Sequence, residues 1–463
     1  MMNKFDKAKN LKIAYIGGGS RGWAWKLMSD LAKEEMLSGE LCLYDIDYEA
    51  AKQNEIVWSK VEEHPECKAK WNCKAVKTLK EALINADFVI ISILPGTFDE
   101  MDSDVHLPEK YGIYQSVGDT MGPGGIVRAL RTLPMFEEIA QSVKENCPDA
   151  WVINYTNPMS LCLKALYMTF PEIKAWGCCH EVFGTQKLLS RALSIIEGIE
   201  EVPFKDIKVN VVGVNHFTWL TEAYYKDIDL FPVYEKFCEK YSDCGYELKD
   251  EDSWLNKFFD THELVKMDLF KRFGYIAAAG DRHLAEFCPG YWYIDSPERV
   301  EKWGFALTPV SWRKENRDDL IEESKRLVSG QQKFEIKETG EEGVRQIKAI
   351  LGLGDFTTNI NIPNQGQIPN LPIGAIVETN AYLTSGTLKP VFAGNIPEKI
   401  LPLVSRVVAE QEVVARAVKE RNLEIAFDAF IGDPLVTISQ EKARELFDQM
   451  IENTKEYLKD YGV

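Results

Sequence analysis

A glycine-rich segment directly after an apolar run constrains the fold of this chain more than any other feature. The run LKIAYI, residues 11–16, leads into the segment IGGGSRGW. Gly17, Gly19 and Gly22 fit the pattern G-x-G-x-x-G, typical of a strand that turns into a helix beneath a dinucleotide. The first glycine permits the turn, the second admits a pyrophosphate, and the third allows close helix–strand packing. The segment therefore predicts a nucleotide site.

An acidic residue after the next apolar run supports that prediction. Asp45 follows the run ELCLY, 23 residues after Gly22, where a carboxylate can accept hydrogen bonds from ribose hydroxyls. Asp45 favours NAD over NADP because it would repel a 2′-phosphate, whereas Arg21 keeps NADP open. The predicted cofactor-binding residues are Gly17, Gly19, Ser20, Arg21, Gly22 and Asp45.

Apolar runs that alternate with helical spacing predict the fold class. Strands are predicted at 11–16, 40–45, 87–94 and 150–154, and helices at 21–34, 79–85 and 125–146. Such an alternation indicates a parallel sheet with helices on both faces. Beyond residue 200 the pattern predicts strands at 207–214 and 217–228, a helix at 313–337, two β-like stretches in 353–380, and mostly helix from 395 to 460.

We therefore predict an α/β protein with a Rossmann-type doubly wound sheet in residues 1–200. A catalytic and oligomerisation domain of α+β type, like that of lactate and malate dehydrogenases, is predicted in residues 201–463. The net charge of −18 argues against nucleic acid and anionic membranes as partners. A polar start, no long apolar stretch and ten scattered cysteines predict a cytoplasmic protein with reduced thiols.

Two segments after the first domain carry residues suited to a metal ion. GCCHEVFGT contains Cys179 and His180, and GVNHFTWL contains His216. A thiolate and an imidazole suit a borderline divalent ion and leave positions open for a substrate diol. Two other interpretations stay open: the cysteines are small buried apolar residues, or His216 is the acid–base of a metal-free dehydrogenase.

Three further segments carry polar clusters. GDRHLAEF supplies Asp281, which is either a base kept ionised by its neighbouring arginine or the cap of a helix. GDTMGPGGIVRALRTLP supplies Asp119, and is either a loop over the ligand or part of a solvated surface. NYTNPMS supplies Asn154 and Asn157 at the carboxyl end of a strand, where open α/β sheets bind ligands, although an Asn-Pro turn alone can end a strand.

In this order, and together with NIPNQGQIPNLP, these segments resemble glycoside hydrolase family 4, whose members are NAD- and Mn-dependent glycosidases. The resemblance covers about residues 11 to 380, and CCHEVFGT and AAAGDRHLAEF are most similar to the α-galacturonidase branch. It implies hydride removal from C3 of the sugar, loss of the C2 proton, departure of the C1 substituent, addition of water, and return of the hydride. NAD is therefore not consumed, and such enzymes are exceptions to the usual two-carboxylate mechanism.

The resemblance also implies roles for individual residues. The metal ligands, for Mn²⁺, would be Cys179 and His216. The general acid would be His180, and the base Asp281, where many members have a tyrosine. The substrate-binding residues would be Asp119, Asn154, Asn157, Arg282 and His283. Of these, Arg282 and His283 are available to pair with the carboxylate of a uronide.

Other functions remain to be distinguished. An α-glucosidase or α-galactosidase of the same family is the nearest. An NAD-dependent 2-hydroxy-acid dehydrogenase would share the Rossmann half, would use a His–Asp pair and would need no metal. A non-catalytic redox sensor would bind NAD without turnover. The expected partner is a small saccharide or uronide, and the expected assembly is a homodimer or homotetramer.

Overall fold

Two β-sheets surrounded by helices form the protein. The computed structural model describes residues 8–247, 258–259 and 261–463. The strands are β1 (Leu11–Ile16), β2 (Ser38–Tyr44), β3 (Lys70–Val76), β4 (Phe88–Ile91), β5 (Trp151–Asn154), β6 (Lys174–Gly177), β7 (Lys208–Val214), β8 (Phe217–Tyr225), β9 (Ile228–Asp229), β10 (Ile276–Ala277), β11 (Phe356–Pro363), β12 (Ile376–Thr384) and β13 (Thr387–Pro390).

The helices lie on both faces of the larger sheet and around the smaller one. They are α1 (Trp23–Ala32), α2 (Tyr48–Glu62), α3 (Leu79–Leu83), α4 (Phe98–His106), α5 (Gly122–Asn146), α6 (Met159–Thr169), α7 (Glu181–Glu197), α8 (Leu230–Tyr241), α9 (Leu264–Phe273), α10 (Asp281–Phe287), α11 (Gly290–Tyr293), α12 (Pro297–Lys302), α13 (Val310–Ser329), α14 (Gly343–Ile350), α15 (Leu401–Glu420), α16 (Leu423–Gly432) and α17 (Gln440–Thr454).

The first six strands form a parallel sheet in the order β3-β2-β1-β4-β5-β6. This is the doubly wound order of dinucleotide-binding folds, in which the ligand crevice lies beside β1 and β4, where the strand order reverses. The predicted Rossmann-type fold is therefore confirmed. The prediction missed β3, α2 and α4, whose apolar residues are interrupted by charged ones, and β6, whose four residues KAWG are too short a run to stand out. It also gave no helix at α6 or α7.

Three strands from the second half of the chain extend the same sheet. Strand β11 pairs antiparallel with β6, where Asn361 lies opposite Gly177, and β12 and β13 follow outward. Apolar residues of both halves, such as Ile153 and Ile360, share one hydrophobic cluster. The boundary near residue 200 stays a prediction, and the sheet is continuous across it.

The smaller sheet consists of β7, β8, β9 and β10. Strands β7 and β8 form a hairpin whose two-residue turn is Asn215-His216, since Val214 pairs with Phe217. The Asn215 side chain of this turn bonds to Glu378 on β12 of the larger sheet over 3.2 Å. The ten cysteines are all free, and seven of them are buried. None of the described helices combines the length and apolar character that a membrane crossing needs.

Candidate active site

The glycine loop after β1 has the shape that the sequence predicted. Gly17 has a φ of +96°, and a Cβ there would lie 1.9 Å from the Ser92 carbonyl oxygen. A Cβ on Gly19 would lie 2.9 Å from Asp45 Oδ2. These glycines leave the backbone of the loop accessible beside the start of α1. The first turn of α1 has no acidic residue, so its free amides can bind a phosphate without repulsion. Gly22 differs: apart from its own chain neighbours, no atom of the described residues lies within 4 Å of its Cβ position, so close packing does not explain it.

Asp45 and Ser20 hold this loop in place. Asp45 Oδ2 accepts a hydrogen bond of 2.9 Å from the Gly19 amide, and Ser20 Oγ accepts one of 3.1 Å from Trp23 at the start of α1. Arg21 donates to Gln53, while its Nε is buried with no partner among the described residues. The predicted cofactor-binding residues therefore meet at one end of the sheet.

Three potential metal ligands converge beside this crevice. Ligand atoms of Asp119, His216 and His283 all lie within 4.8 Å of one another. The two imidazoles stack with centroids 3.8 Å apart. Burial lowers the pKa of His216 to about 3, so the ring is neutral and keeps a lone pair for a metal ion. His216 was predicted as a ligand, whereas Asp119 and His283 were predicted as substrate contacts.

Cys179, the other predicted ligand, lies outside that group of three. Its backbone carbonyl accepts a hydrogen bond of 3.3 Å from Asn359, and burial raises the pKa of its thiol well above its usual range. Asn359 and Asn215, the residue before His216, both bond to Glu378, so Cys179 is connected to the His216 turn through that carboxylate. Its ligation of a metal ion stays a prediction.

Several buried polar atoms around Asp119 have no partner among the described residues. They belong to Arg128 (Nη1), Asn157 (Oδ1) and His283 (Nδ1). Asn157 Nδ2 donates to Asp119 Oδ2 over 3.3 Å, and Arg128 Nε donates to the Asn157 carbonyl over 3.1 Å. Since buried polar groups are normally paired, these atoms fit a site that takes a polar ligand or a metal ion. Arg128 was not predicted here, although it follows Asp119 in the same polar segment.

The first turn of α7 contributes two neighbouring groups. The His180 side chain is half exposed, with Nδ1 3.7 Å from a carboxylate oxygen of Glu341. Glu181 accepts a hydrogen bond of 2.8 Å from the Gly280 amide, and its other oxygen lies 3.8 Å from His283 Nε2. Glu181 thus joins α7 to the segment with His283. Its position directly after His180 was the only sequence signal for it.

The predicted base occupies a helix-capping position. Both Asp281 oxygens accept hydrogen bonds of 3.0 Å from the amides of Val265 and Lys266 at the start of α9. Burial raises the pKa of Asp281 to about 7, a value that suits acid–base catalysis. However, the side chain is fully buried and does not belong to the three-ligand group. The basic role of Asp281 stays a prediction.

Two predicted substrate residues make internal contacts. Arg282 Nη2 donates to the Ser116 carbonyl over 2.8 Å and to Thr308, and its Nε is buried with no partner in the described part of the chain. Asn154 is fully buried, and its side chain bonds to the amide and carbonyl of Thr156, each over 3.0 Å. Asn154 therefore shapes the turn that leads to Asn157.

Comparison with known proteins identifies the family. The model of the family 4 glycosyl hydrolases matches residues 12–195, and that of the family 4 C-terminal domain matches residues 211–436. An α-galacturonidase of Thermoanaerobacterium saccharolyticum is 62% identical over 457 residues, covering 99% of this chain and 98% of the relative. This chain is a member of glycosyl hydrolase family 4.

Solved structures agree with the fold of this family 4 chain. A crystal structure from Bacillus subtilis, provisionally described as a glucosidase, is 51% identical, covers 96% of this chain and 100% of its own, and has a TM-score of 0.91. A 6-phospho-α-glucosidase from gut microorganisms, solved with NAD and Mn²⁺, is 22% identical with a TM-score of 0.80, covering 97% of this chain and 99% of its own. At that identity it supports the fold alone.

Membership in family 4 decides between the classes of function that the sequence left open. The chain is a glycoside hydrolase, and the dehydrogenase and redox-sensor interpretations are not supported. The three-ligand group also differs from the predicted pair, because it draws on an aspartate and a second histidine.

Proposed function

We propose that this chain is an α-galacturonidase that requires NAD and a divalent metal ion, Mn²⁺ being the candidate. The observation that carries the proposal is the 62% identity to a relative of that name over nearly the whole chain. Three further relatives of that name are 55%, 51% and 52% identical. An α-galactosidase reaches 30% and an α-glucosidase 28%, so a neutral hexoside is less well supported as substrate.

The residues of the site fit both cofactors. The bare backbone at Gly17 and Gly19 suits a pyrophosphate, and Asp45 suits the ribose. The carboxylate and imidazoles of Asp119, His216 and His283 suit a divalent ion, and Cys179 is a further candidate ligand. When bound, a nicotinamide supplies reversible hydride transfer, and a metal ion supplies polarisation of the sugar oxygens. A related fold holds both NAD and Mn²⁺.

The protein side chains would handle binding and proton transfer. Asn157 would hold sugar hydroxyls through its unpaired Oδ1. Arg282 would pair with the uronate carboxylate, and Arg128 offers a second buried guanidinium nearby. His180, which is half exposed beside Glu341, would give a proton to the leaving oxygen. Asp281 would take the C2 proton on a lone pair that is not used by the two amide hydrogen bonds that it accepts.

The proposal is tested by hydrolysis of 4-nitrophenyl α-galacturonide and of galacturonate oligomers with NAD and Mn²⁺. We expect cleavage that disappears when either addition is omitted, and solvent deuterium at C2 of the product. The matched control is 4-nitrophenyl α-galactoside, which lacks the carboxylate. Faster cleavage of this neutral substrate would show a different substrate class. Cleavage that is unaffected by removal of NAD would refute the redox mechanism.

Two further properties belong to the same proposal. We propose a cytoplasmic protein, since seven of its ten cysteines are buried and all are free, as a reducing compartment favours. We also propose a homodimer or homotetramer. Size-exclusion chromatography with light scattering tests the assembly, and a monomer at micromolar concentration would contradict it.

A further inference from the structure

A buried carboxylate lies behind the site and has no role in the chemistry above. Glu378 is 1% exposed and lies on β12, directly opposite Asn361 of β11. Its Oε1 accepts a hydrogen bond of 2.6 Å from Asn359. Its Oε2 accepts bonds of 3.2 Å from Asn215 and 3.0 Å from Asn361. Three amides thus surround one acid, at a depth where an unpaired charge would be costly.

Two of these three amides continue toward the metal-binding residues. Asn215 directly precedes His216 in the turn between β7 and β8. Asn359 also donates to the backbone carbonyl of Cys179, over 3.3 Å. The segment after β6 and the turn between β7 and β8 are therefore joined through Glu378. The Asn361 side chain donates to the same carboxylate and makes no hydrogen bond to either segment among the described residues.

The backbone of the β7–β8 turn has a conformation that this network helps to hold. His216 has a φ of +62°, a conformation that costs a residue with a side chain of the order of 1 kcal/mol and persists only when its surroundings hold it. The imidazole contacts Thr120 at 3.1 Å and stacks on His283. Asn215, the other residue of the turn, is held by its hydrogen bond to Glu378.

We infer that Glu378 is a positioning residue for the metal site. It holds the side chains of Asn215 and Asn359 at one carboxylate, and it thereby sets where Cys179 and the His216 imidazole stand relative to each other. The inference rests on the metal ion of the proposed function. Groups that orient metal ligands from behind typically change metal affinity 10- to 100-fold when they are replaced.

The test is a titration of metal-free protein with Mn²⁺, in which electron paramagnetic resonance measures the free ion. Glu378→Gln keeps the shape of the side chain but replaces one acceptor oxygen by a donor, so one amide must turn away. We expect 10- to 100-fold weaker Mn²⁺ binding, with unchanged NAD affinity. The control is Glu342→Gln. Glu342 is also a buried acid, and it bonds to Thr358 on β11, the strand that carries Asn359 and Asn361. This variant should bind Mn²⁺ within twofold of the parent.

Equal Mn²⁺ affinity in Glu378→Gln and the parent would overturn the inference and leave the proposed function standing. A parent protein that binds no Mn²⁺ would overturn both.

A second set of variants does not depend on the folding of Glu378→Gln. Asn215→Ala and Asn359→Ala should each weaken Mn²⁺ binding at least tenfold, because they cut the connection to the site. Asn361→Ala should weaken it less than threefold, because Asn361 contacts only the Glu378 end of the network. An Asn361→Ala variant as impaired as Asn215→Ala would show a general packing effect and would refute the inference.

Discussion

Single residues in this site act through contacts with residues far away in the chain. His216 stacks on His283, 67 positions later, and lies beside Thr120, 96 positions earlier. Each of the two imidazoles also lies beside another polar side chain, Thr120 for His216 and Glu181 for His283. The chemistry of a residue here is therefore decided by its neighbours in space.

Arg282 offers the clearest test of substrate choice at this scale. A guanidinium paired with a buried uronate carboxylate gives a charge-assisted bond that a neutral hexoside cannot make. Arg282→Ala should lower kcat/KM for the α-galacturonide about 100-fold, since the loss of a buried bond to a charged group costs about 3 kcal/mol. The neutral α-galactoside should lose less than tenfold. Steady-state kinetics on both substrates measure the ratio.

Arg282 also bonds to Thr308, so its replacement can disturb the surrounding structure. Thr308→Val is the matched control, because it removes that bond and keeps the guanidinium. It should affect both substrates alike. Equal losses on both substrates in Arg282→Ala would assign the arginine a structural role only.

Sequence reasoning identified the polar segments of the site but not their pairings. The glycine pattern and Asp45 were predictable because the local geometry of a strand and turn dictates them. The grouping of Asp119, His216 and His283 was not predictable. These residues lie far apart in the chain, and the sequence does not indicate how close they come in space. Glu378 was missed for the same reason: in sequence it is one acid beside Thr379 and Asn380 in a strand of mixed polarity.

At the scale of elements, a buried pair of acids, Asp433 and Glu410, lies at the start of helix α5. Asp433, just after α16, accepts a bond of 2.9 Å from the Gly122 amide at the start of α5 and one of 2.8 Å from the Leu435 amide. Burial raises the pKa of Asp433 to about 6 and that of Glu410 on α15 well above its usual range. Arg406 is the cation near both.

This pair predicts a pH-dependent stability. A folded-state pKa that is raised gives stability that is present below the unfolded value, near 4, and lost as pH rises through the folded value. Glu410→Gln should therefore be as stable as the parent at pH 4 and more stable than the parent at pH 8, because the amide needs no proton to stay uncharged in its buried position. Urea unfolding at both pH values measures the difference.

The control for this prediction lies on the same helix. Glu412 is largely exposed and pairs with Lys164, and Glu412→Gln should change stability by less than about 1 kcal/mol at either pH. A Glu410→Gln variant whose stability relative to the parent is the same at pH 4 and pH 8 would contradict this prediction. It would mean that the folded protein does not raise the pKa of Glu410.

At the scale of the whole molecule, the two halves of the chain complete one sheet. The alternation of strands and helices predicted its parallel part, because each βαβ unit is local. It could not predict that β11 would pair with β6, because residue 361 and residue 177 meet only after the intervening chain has folded. The second half was predicted as an α+β domain of its own, and it also supplies three strands to the sheet of the first half.

This shared sheet predicts that the two halves do not fold separately. A fragment of residues 1–200 would expose the edge of β6 and the cluster around Ile153 that Ile360 and Ile362 complete, and such open edges favour aggregation. We expect the fragment to be aggregated or to bind a hydrophobic dye, whereas co-expression with residues 201–463 restores a soluble complex. Calorimetry of the full chain should show one transition. A fragment that unfolds cooperatively and binds NAD alone would show that the first half is an independent unit, with β11–β13 an attachment to a finished sheet.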